Sequence, residues 1–265
     1  YNHQLVKKLL DQKIIDGLRI DHIDGLYDPE KYLRDLRVLS SDCPIFVEKI
    51  LAYEEALPTD WPVEGTTGYD FCALVNYVLM EKESQRTFTK IYGKFTTLTH
   101  CFDRISKDKK RLMIGKHFAG NIDNLAHQLK RLASNDRLGR DITLYALRRA
   151  MVEVMVYFPV YRTYVSKTHT SAFDQVVLKN SCDNARSDYP DLCYEIDFIE
   201  DYLLHSNLHT ESENKSEDIV HFIASFQQLT GPLMAKGCED TAFYVYNKLS
   251  SLCEVGSHPG TFVIS

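Results

Sequence analysis

No run in these 265 residues approaches the roughly 18 consecutive apolar residues of a membrane-spanning helix, so no helical span is expected. Paired CxxC motifs are also missing. The seven cysteines, Cys43, Cys72, Cys101, Cys182, Cys193, Cys238 and Cys253, are odd in number and widely scattered. That spacing argues against a disulfide framework or a zinc ribbon and for reduced thiols in a cytoplasmic protein. Neither GxGxxG nor GxxxxGK followed by Ser or Thr occurs, so no phosphate-cradling loop is expected. A basic surplus is absent as well: 31 Lys and Arg face 37 Asp and Glu, for a net charge of −6. That balance speaks against nucleic acid or an anionic membrane as a partner. The opening "YNHQLVKKLL" has no initiator methionine and no long apolar core of a signal peptide, and reads as a segment from the middle of a longer chain.

What is present is an ordinary globular composition, 44% hydrophobic and 26% charged, on a length that supports one large domain or two smaller ones. Residues 1–13 read as a helix, with Leu5, Val6, Leu9 and Leu10 on one face. "LRID" reads as a short buried strand after the break at Asp16-Gly17. Asp28-Pro29 is a helix start, an N-cap acceptor followed by proline at the first helical position. The helix it opens carries Leu33, Leu36 and Leu39, and "CPIFVEKI" reads as the next strand. The order helix, strand, helix, strand predicts a parallel βαβ unit. Beyond "DWPVEGTTGYDF" the patterns turn helical: one helix with Ile122, Leu125, Leu129 and Leu132, one over 141–157 opening at Asp141, and one starting near Ser216. "HTESENKSED" (209–218) reads as an exposed loop and the Gly- and Pro-containing final stretch as site-forming loops. The divisions expected are 1–70, 71–221 as a helical insertion, and 222–265.

In a parallel βαβ unit the carboxyl ends of the strands share one edge, where α/β folds place their sites. Asp21 ends the first strand and Glu48 the second. Two carboxylates so placed read either as a glycosidase-type nucleophile and acid/base pair or as a structural ion pair. Arg19 shares the strand face of Asp21 by period-2 alternation, the kind of cationic neighbour an attacking carboxylate uses. A calcium loop beginning at Asp21 fails the EF-hand pattern, because Ile23 stands at position 3 and Gly25 at position 5. His205 and His209 lack the glutamate of HExxH and read as solvated. No metal is expected. "GTTGYD" (65–70) reads as a polar-ligand loop or a plain turn. "MAKGCEDTAFYVY" (234–246) suits a sugar, with charged groups beside aromatic faces, or equally a surface salt-bridge cluster.

Three blocks then become specific together. "DGLRIDHIDGLYDPEKYL", "VEKILAYEEALPTDWPVEGTTGYDF" and "FQQLTGPLMAKGCEDTAFYVYNKL" closely resemble the maltooligosyltrehalose synthase family of the α-amylase superfamily, strongly over residues 1–72 and 222–262 and more loosely between. The resemblance implies an α/β fold, part of a TIM (β/α)8 barrel with a large, mainly α-helical insertion. It implies an intramolecular transglycosylase that converts the reducing-end α-1,4 bond of a maltooligosaccharide to an α,α-1,1 bond. It makes Asp21 the nucleophile, Arg19 its partner and Glu48 the acid/base. Substrate contacts are expected from His22, Asp24, Lys49, Tyr69, Lys236, Glu239 and Asp240, with no cofactor and with functional coupling to a maltooligosyltrehalose trehalohydrolase.

The sequence departs from the pattern in two places. Where many hydrolytic amylases carry Lys-His after the nucleophile, this chain has Asp24-Gly25, which suits a different acceptor site. No His-Asp dipeptide follows residue 222, so the third carboxylate of the superfamily is expected beyond Ser265, with Asp240 as the candidate within the chain. The alternatives are an α-glucan hydrolase of the same superfamily or, for this segment alone, an inactive helical binding domain.

Overall fold

A computed structural model of the chain describes residues 3–97, 101–167, 169–204 and 213–262. Helix α1 (Gln4–Asp11) leads into strand β1 (Leu18–Ile20), helix α2 (Pro29–Ser40) and strand β2 (Ile45–Val47). Asp28 caps α2 as the sequence requires, its carboxylate accepting the Lys31 N–H at 2.9 Å with Pro29 at the first helical position. Strand β3 (Gly65–Thr66) completes a sheet of order β1–β2–β3 in which both pairings are parallel. Leu18 stands opposite Ile45 and Ile20 opposite Val47.

Alternation gives the sheet two unlike faces. Leu18, Ile45 and Val47 are buried with Leu33 and Leu36 of α2, with Val6 and Leu10 of α1 against them. Arg19 and Phe46 lie opposite one another in the register on the other face, where Phe46 stays 42% exposed. The βαβ expectation is met. Among the described residues the sheet has three strands and does not close into a barrel. The architecture is mostly helical with a small parallel sheet.

Helices α3 (Tyr69–Val78), α4 (Gln85–Phe95) and α5 (Phe102–Lys116) follow, and then α6 (Ala119–Ser134), α7 (Leu144–Val156), α8 (Ala172–Asp188) and α9 (Cys193–Leu203). The long helix α10 (Glu213–Met234) crosses them. Ile122, Leu129, Leu147, Met151, Ile196, Phe222 and Phe226 are completely buried in one cluster drawn from α6, α7, α9 and α10, the larger of the apolar interiors. All seven cysteines are free.

Three sequence expectations are corrected. The helix expected over 141–157 begins at Leu144, because Thr143 supplies the cap by accepting the Ala146 N–H at 3.1 Å. Of the loop expected over 209–218, residues 213–218 form the first turns of α10; the remainder, like His205 and His209, lies outside the described residues. The stretch read as site-forming loops is helical as far as Val245. After α10 comes a π-helix (Ala235–Ala242) and then α11 (Phe243–Val245). Pro232 sits inside α10, where its missing N–H and its ring break the regular i→i−4 ladder just before the π-turn. Gly237 lets the π-helix press onto α5: a Cβ there would stand 2.8 Å from Lys110 Cγ and 3.0 Å from Lys110 Cα.

Candidate active site

Strands β1 and β2 end at one edge, and their next residues meet there. The Glu48 N–H donates to the Ile20 carbonyl at 2.8 Å, continuing the ladder one step past the strands. The Glu48 carboxylate turns back and accepts the backbone N–H of His22 at 2.7 Å. Glu48 is thereby tied to the residue next to Asp21. Asp21 itself is 80% exposed at the strand end, its carboxylate 3.9 Å from the Arg19 guanidinium, as the period-2 alternation predicts.

His22 holds a left-handed backbone, φ 51° and ψ 47°, unusual outside glycine. Its ring lies over Gly25, where an added Cβ would meet it at 2.4 Å. The Asp24-Gly25 departure noted in the sequence therefore has a local meaning, since a side chain at 25 would displace the imidazole. Residues Ile23–Gly25 form a 3₁₀ turn that buries Ile23 and Asp24.

Glu48, His22 and Asp24 form one wall of a cleft of about 220 Å³. Tyr69, at the start of α3, closes a second side. Gly68 makes that entry possible by adopting φ 95°, and Thr66 braces it by donating to Asp70 at 2.6 Å. The Tyr69 hydroxyl bonds to Glu48, and burial first, then the charge of Glu48, holds its phenol above the usual range. The third side comes from the end of α10 and the π-helix, through Pro232, Ala235 and Glu239, together with Tyr161. A broader hollow of about 480 Å³ lies on the open sheet face, lined by Arg19, Phe46, Thr66, Thr67 and Tyr69. Of these two hollows, the smaller is the one lined by Glu48.

The sequence-derived candidates fall into three groups. Glu48, His22, Asp24, Tyr69 and Glu239 share the cleft. Asp21 and Arg19 stand beside it at the strand end. Lys49, Lys236 and Asp240 are placed elsewhere. Lys49 is fully buried, its amine 2.7 Å from Glu55 and 3.6 Å from Asp24, so it faces inward and offers a substrate nothing. Lys236 and Asp240 bond to each other at 2.5 Å, one helical turn apart and more than half exposed, and neither lines the cleft. The acid that the π-helix turns into the cleft is Glu239, not Asp240.

Glu239 hydrogen-bonds to Tyr161, a residue the sequence reading missed for want of any motif around it. Burial raises the Glu239 carboxyl to about 7, with Asp240 adding to the rise and Tyr161 and Lys236 opposing it. The phenol of Tyr161 is pushed up in turn by burial and by the Glu239 charge. A carboxyl raised on folding stabilises the fold fully below its unfolded value and loses that contribution as pH rises through about 7. Glu239→Gln keeps the acceptor for Tyr161 and removes the charge. The variant should therefore gain stability relative to the wild type by about 2–3 kcal/mol between acidic and mildly alkaline pH. Urea midpoints for both proteins at several pH values measure this, and parallel pH profiles would refute it.

No family model matches the chain. The solved maltooligosyltrehalose synthase from Arthrobacter ramosus superposes on it with a TM-score of 0.82 at 30% identity, covering 99% of this chain and 31% of that one. The chain resembles the maltooligosyltrehalose synthases along its whole length. A solved glycosyltrehalose synthase matches with a TM-score of 0.70 at 32% identity, over 99% of this chain and 29% of that one. A curated relative from Mycobacterium tuberculosis named "Putative maltooligosyl trehalose synthase" is 28% identical over 263 residues, 98% of this chain. The chain spans 31% of the length of that synthase relative. The helical middle, where the sequence resemblance is looser, lies inside the structural match to the synthases.

Proposed function

We propose that this chain supplies the catalytic strand ends of an enzyme that isomerises maltooligosaccharides, turning the reducing-end α-1,4 bond into an α,α-1,1 bond to give maltooligosyltrehalose. The observation that supports it most is the pairing at the sheet edge. Asp21 and Glu48 leave neighbouring parallel strands at the same end, and the backbone beside Asp21 donates to Glu48 at 2.7 Å. Two carboxylates on one edge suit a retaining double displacement.

In the first step Glu48 gives its proton to the glycosidic oxygen, the bond from that oxygen to the anomeric carbon breaks, and Asp21 bonds that carbon. The released glucose turns in place. Its own anomeric hydroxyl then attacks the carbon held by Asp21, passing its proton to Glu48 as the Asp21 ester bond breaks. Two inversions retain the α configuration at the transferred sugar. Water must be kept away while the glucose turns, and the small cleft suits that task. At about 220 Å³ it lies below the roughly 300–1,000 Å³ of clefts for drug-sized ligands, a size for one sugar unit and not for a chain. His22, Asp24, Tyr69, Tyr161 and Glu239 offer its hydroxyls donors and acceptors, while Pro232 and Val255 cover its apolar face.

Free cysteines suit a reducing compartment, which we take to be the cytoplasm, where a maltooligosyltrehalose trehalohydrolase would consume the product. Among the described residues no helix is long and apolar enough to cross a membrane. Incubating the complete protein that carries this chain with maltopentaose tests the activity. Falling reducing power without release of glucose is the expected result. Rising reducing power would mean an α-glucan hydrolase instead, and binding without turnover, unchanged in Asp21→Asn and Glu48→Gln, would mean a binding domain.

A further inference from the structure

We infer that Arg162, far from the strand ends in sequence, is a positioning residue that fixes the loop after β1 and so the relation of Asp21 to Glu48. The inference rests on the catalytic reading above.

Arg162 is 1% exposed, and among the described residues its hydrogen bonds go to main-chain carbonyls, with the charges of Asp24 and Asp28 favouring its cationic form against burial. Its guanidinium donates to main-chain carbonyls of the loop after β1: to Asp24 at 2.5 Å, to Leu26, and to Tyr27 at 3.1 Å. Three acceptors from one loop need a planar fork with several fixed N–H directions, which arginine has and lysine lacks. Gln228 of α10 adds a fourth tie, donating to the Gly25 carbonyl at 2.8 Å. Tyr164 donates to the Asp24 carboxylate. The carbonyls of residues 24, 25, 26 and 27 are thus all held by side chains of the helical block.

The source of these ties is itself bolted down. Gln227 makes a two-way bridge to Val165, accepting its N–H at 2.7 Å and donating to its carbonyl at 3.1 Å. Thr230 donates to the Tyr161 carbonyl at 2.8 Å, and Asp174 accepts the Tyr164 N–H at 3.1 Å. Residues 161–165 are therefore fixed to α10 and α8. The same α10 continues into the π-helix that carries Glu239. Beneath the loop, Asp24 meets Lys49, the residue after Glu48, at 3.6 Å. One buried network joins the end of β1, the end of β2 and the helical block. Its function is geometric: His22 must keep its left-handed turn for its N–H to reach Glu48, and a held 23–27 loop keeps it there.

The test uses the complete protein with Arg162→Lys, Arg162→Met and Gln228→Ala, beside Arg186→Ala, whose ion pairs join α8 to α9 away from the cleft. Loss of a fixed geometry should lower kcat about tenfold or more with KM within about twofold, and lysine should not rescue it. Amide exchange at residues 22–27 should quicken in the Arg162 variants and stay unchanged in Arg186→Ala. A near wild-type kcat in Arg162→Lys would overturn the inference. So would an equal fall in kcat for Arg186→Ala at the same loss of thermal stability. If Arg162→Met fails to fold, Arg162→Lys and Gln228→Ala decide the matter. If the wild type does not isomerise maltooligosaccharides, the functional reading falls, while exchange at 22–27 still decides whether Arg162 holds the loop.

Discussion

Exchanging Glu48 for glutamine in the complete protein should slow isomerisation of maltopentaose by about 10²–10⁴-fold, the range a positioned acid/base supplies. Asp21→Asn should cost at least as much, since a neutral amide lacks the carboxylate charge that makes the attacking oxygen nucleophilic. Neither change should disturb the fold. Asp21 is 80% exposed, and a glutamine at 48 still offers an oxygen to the His22 N–H. Stability and catalysis therefore separate cleanly at these two positions. An α-maltosyl fluoride donor separates the two roles further, because fluoride leaves without needing a proton. With that donor Glu48→Gln should complete the first step and stall at the second, where no base remains. A maltosyl adduct should then accumulate on Asp21 and appear by intact-mass and peptide analysis. An adduct on another residue would sink the assignment, and so would a Glu48→Gln variant retaining most of the wild-type rate on maltopentaose.

The sheet edge was legible because its signals are local. Asp28-Pro29 writes its own helix start, and the apolar runs around Ile20 and Phe46 end in Asp21 and Glu48. Two short strands joined by one helix leave little freedom in where those acids go. The rest of the cleft was less legible, because its partners are distant. Arg162 and the Asp24 carbonyl are 138 residues apart, and nothing in "VYRTYV" announces that a cation will turn inward to carbonyls. Tyr161 and the π-helix escaped for another reason. "GPLMAKGCED" reads as a loop by its glycines and proline, whereas packing on α5 keeps it helical and selects Glu239 over its neighbour Asp240. Lys49 could have been read correctly. It follows Glu48 directly, and alternation past the end of β2 sends it to the opposite, buried side.

That inward placement makes Lys49 the position where substitution should harm stability most. Its amine is fully buried between Glu55 at 2.7 Å and Asp24 at 3.6 Å, with the Ile50 carbonyl at 3.1 Å. Lys49→Met preserves much of the apolar volume and leaves two buried carboxylates without their cation, which should cost about 3–5 kcal/mol. The loss should depend on pH in a definite direction. Burial already raises the Glu55 carboxyl above its usual value, opposed chiefly by the charge of Lys49. Without the lysine the rise grows. A carboxyl raised on folding favours the fold fully below its unfolded value and loses that contribution as pH climbs through the folded one. The deficit of Lys49→Met should therefore be smaller near pH 5 than near pH 8, because protonation of Glu55 relieves it in the acidic direction. Trp61, the chain's single tryptophan, packs edge-on against Tyr164 at 4.8 Å and reports on this network directly. Urea titrations of the chain followed by its fluorescence give the two deficits. A deficit below about 1 kcal/mol, or one equal at both pH values, would mean that the buried charges are not what holds the strand ends to the helical block.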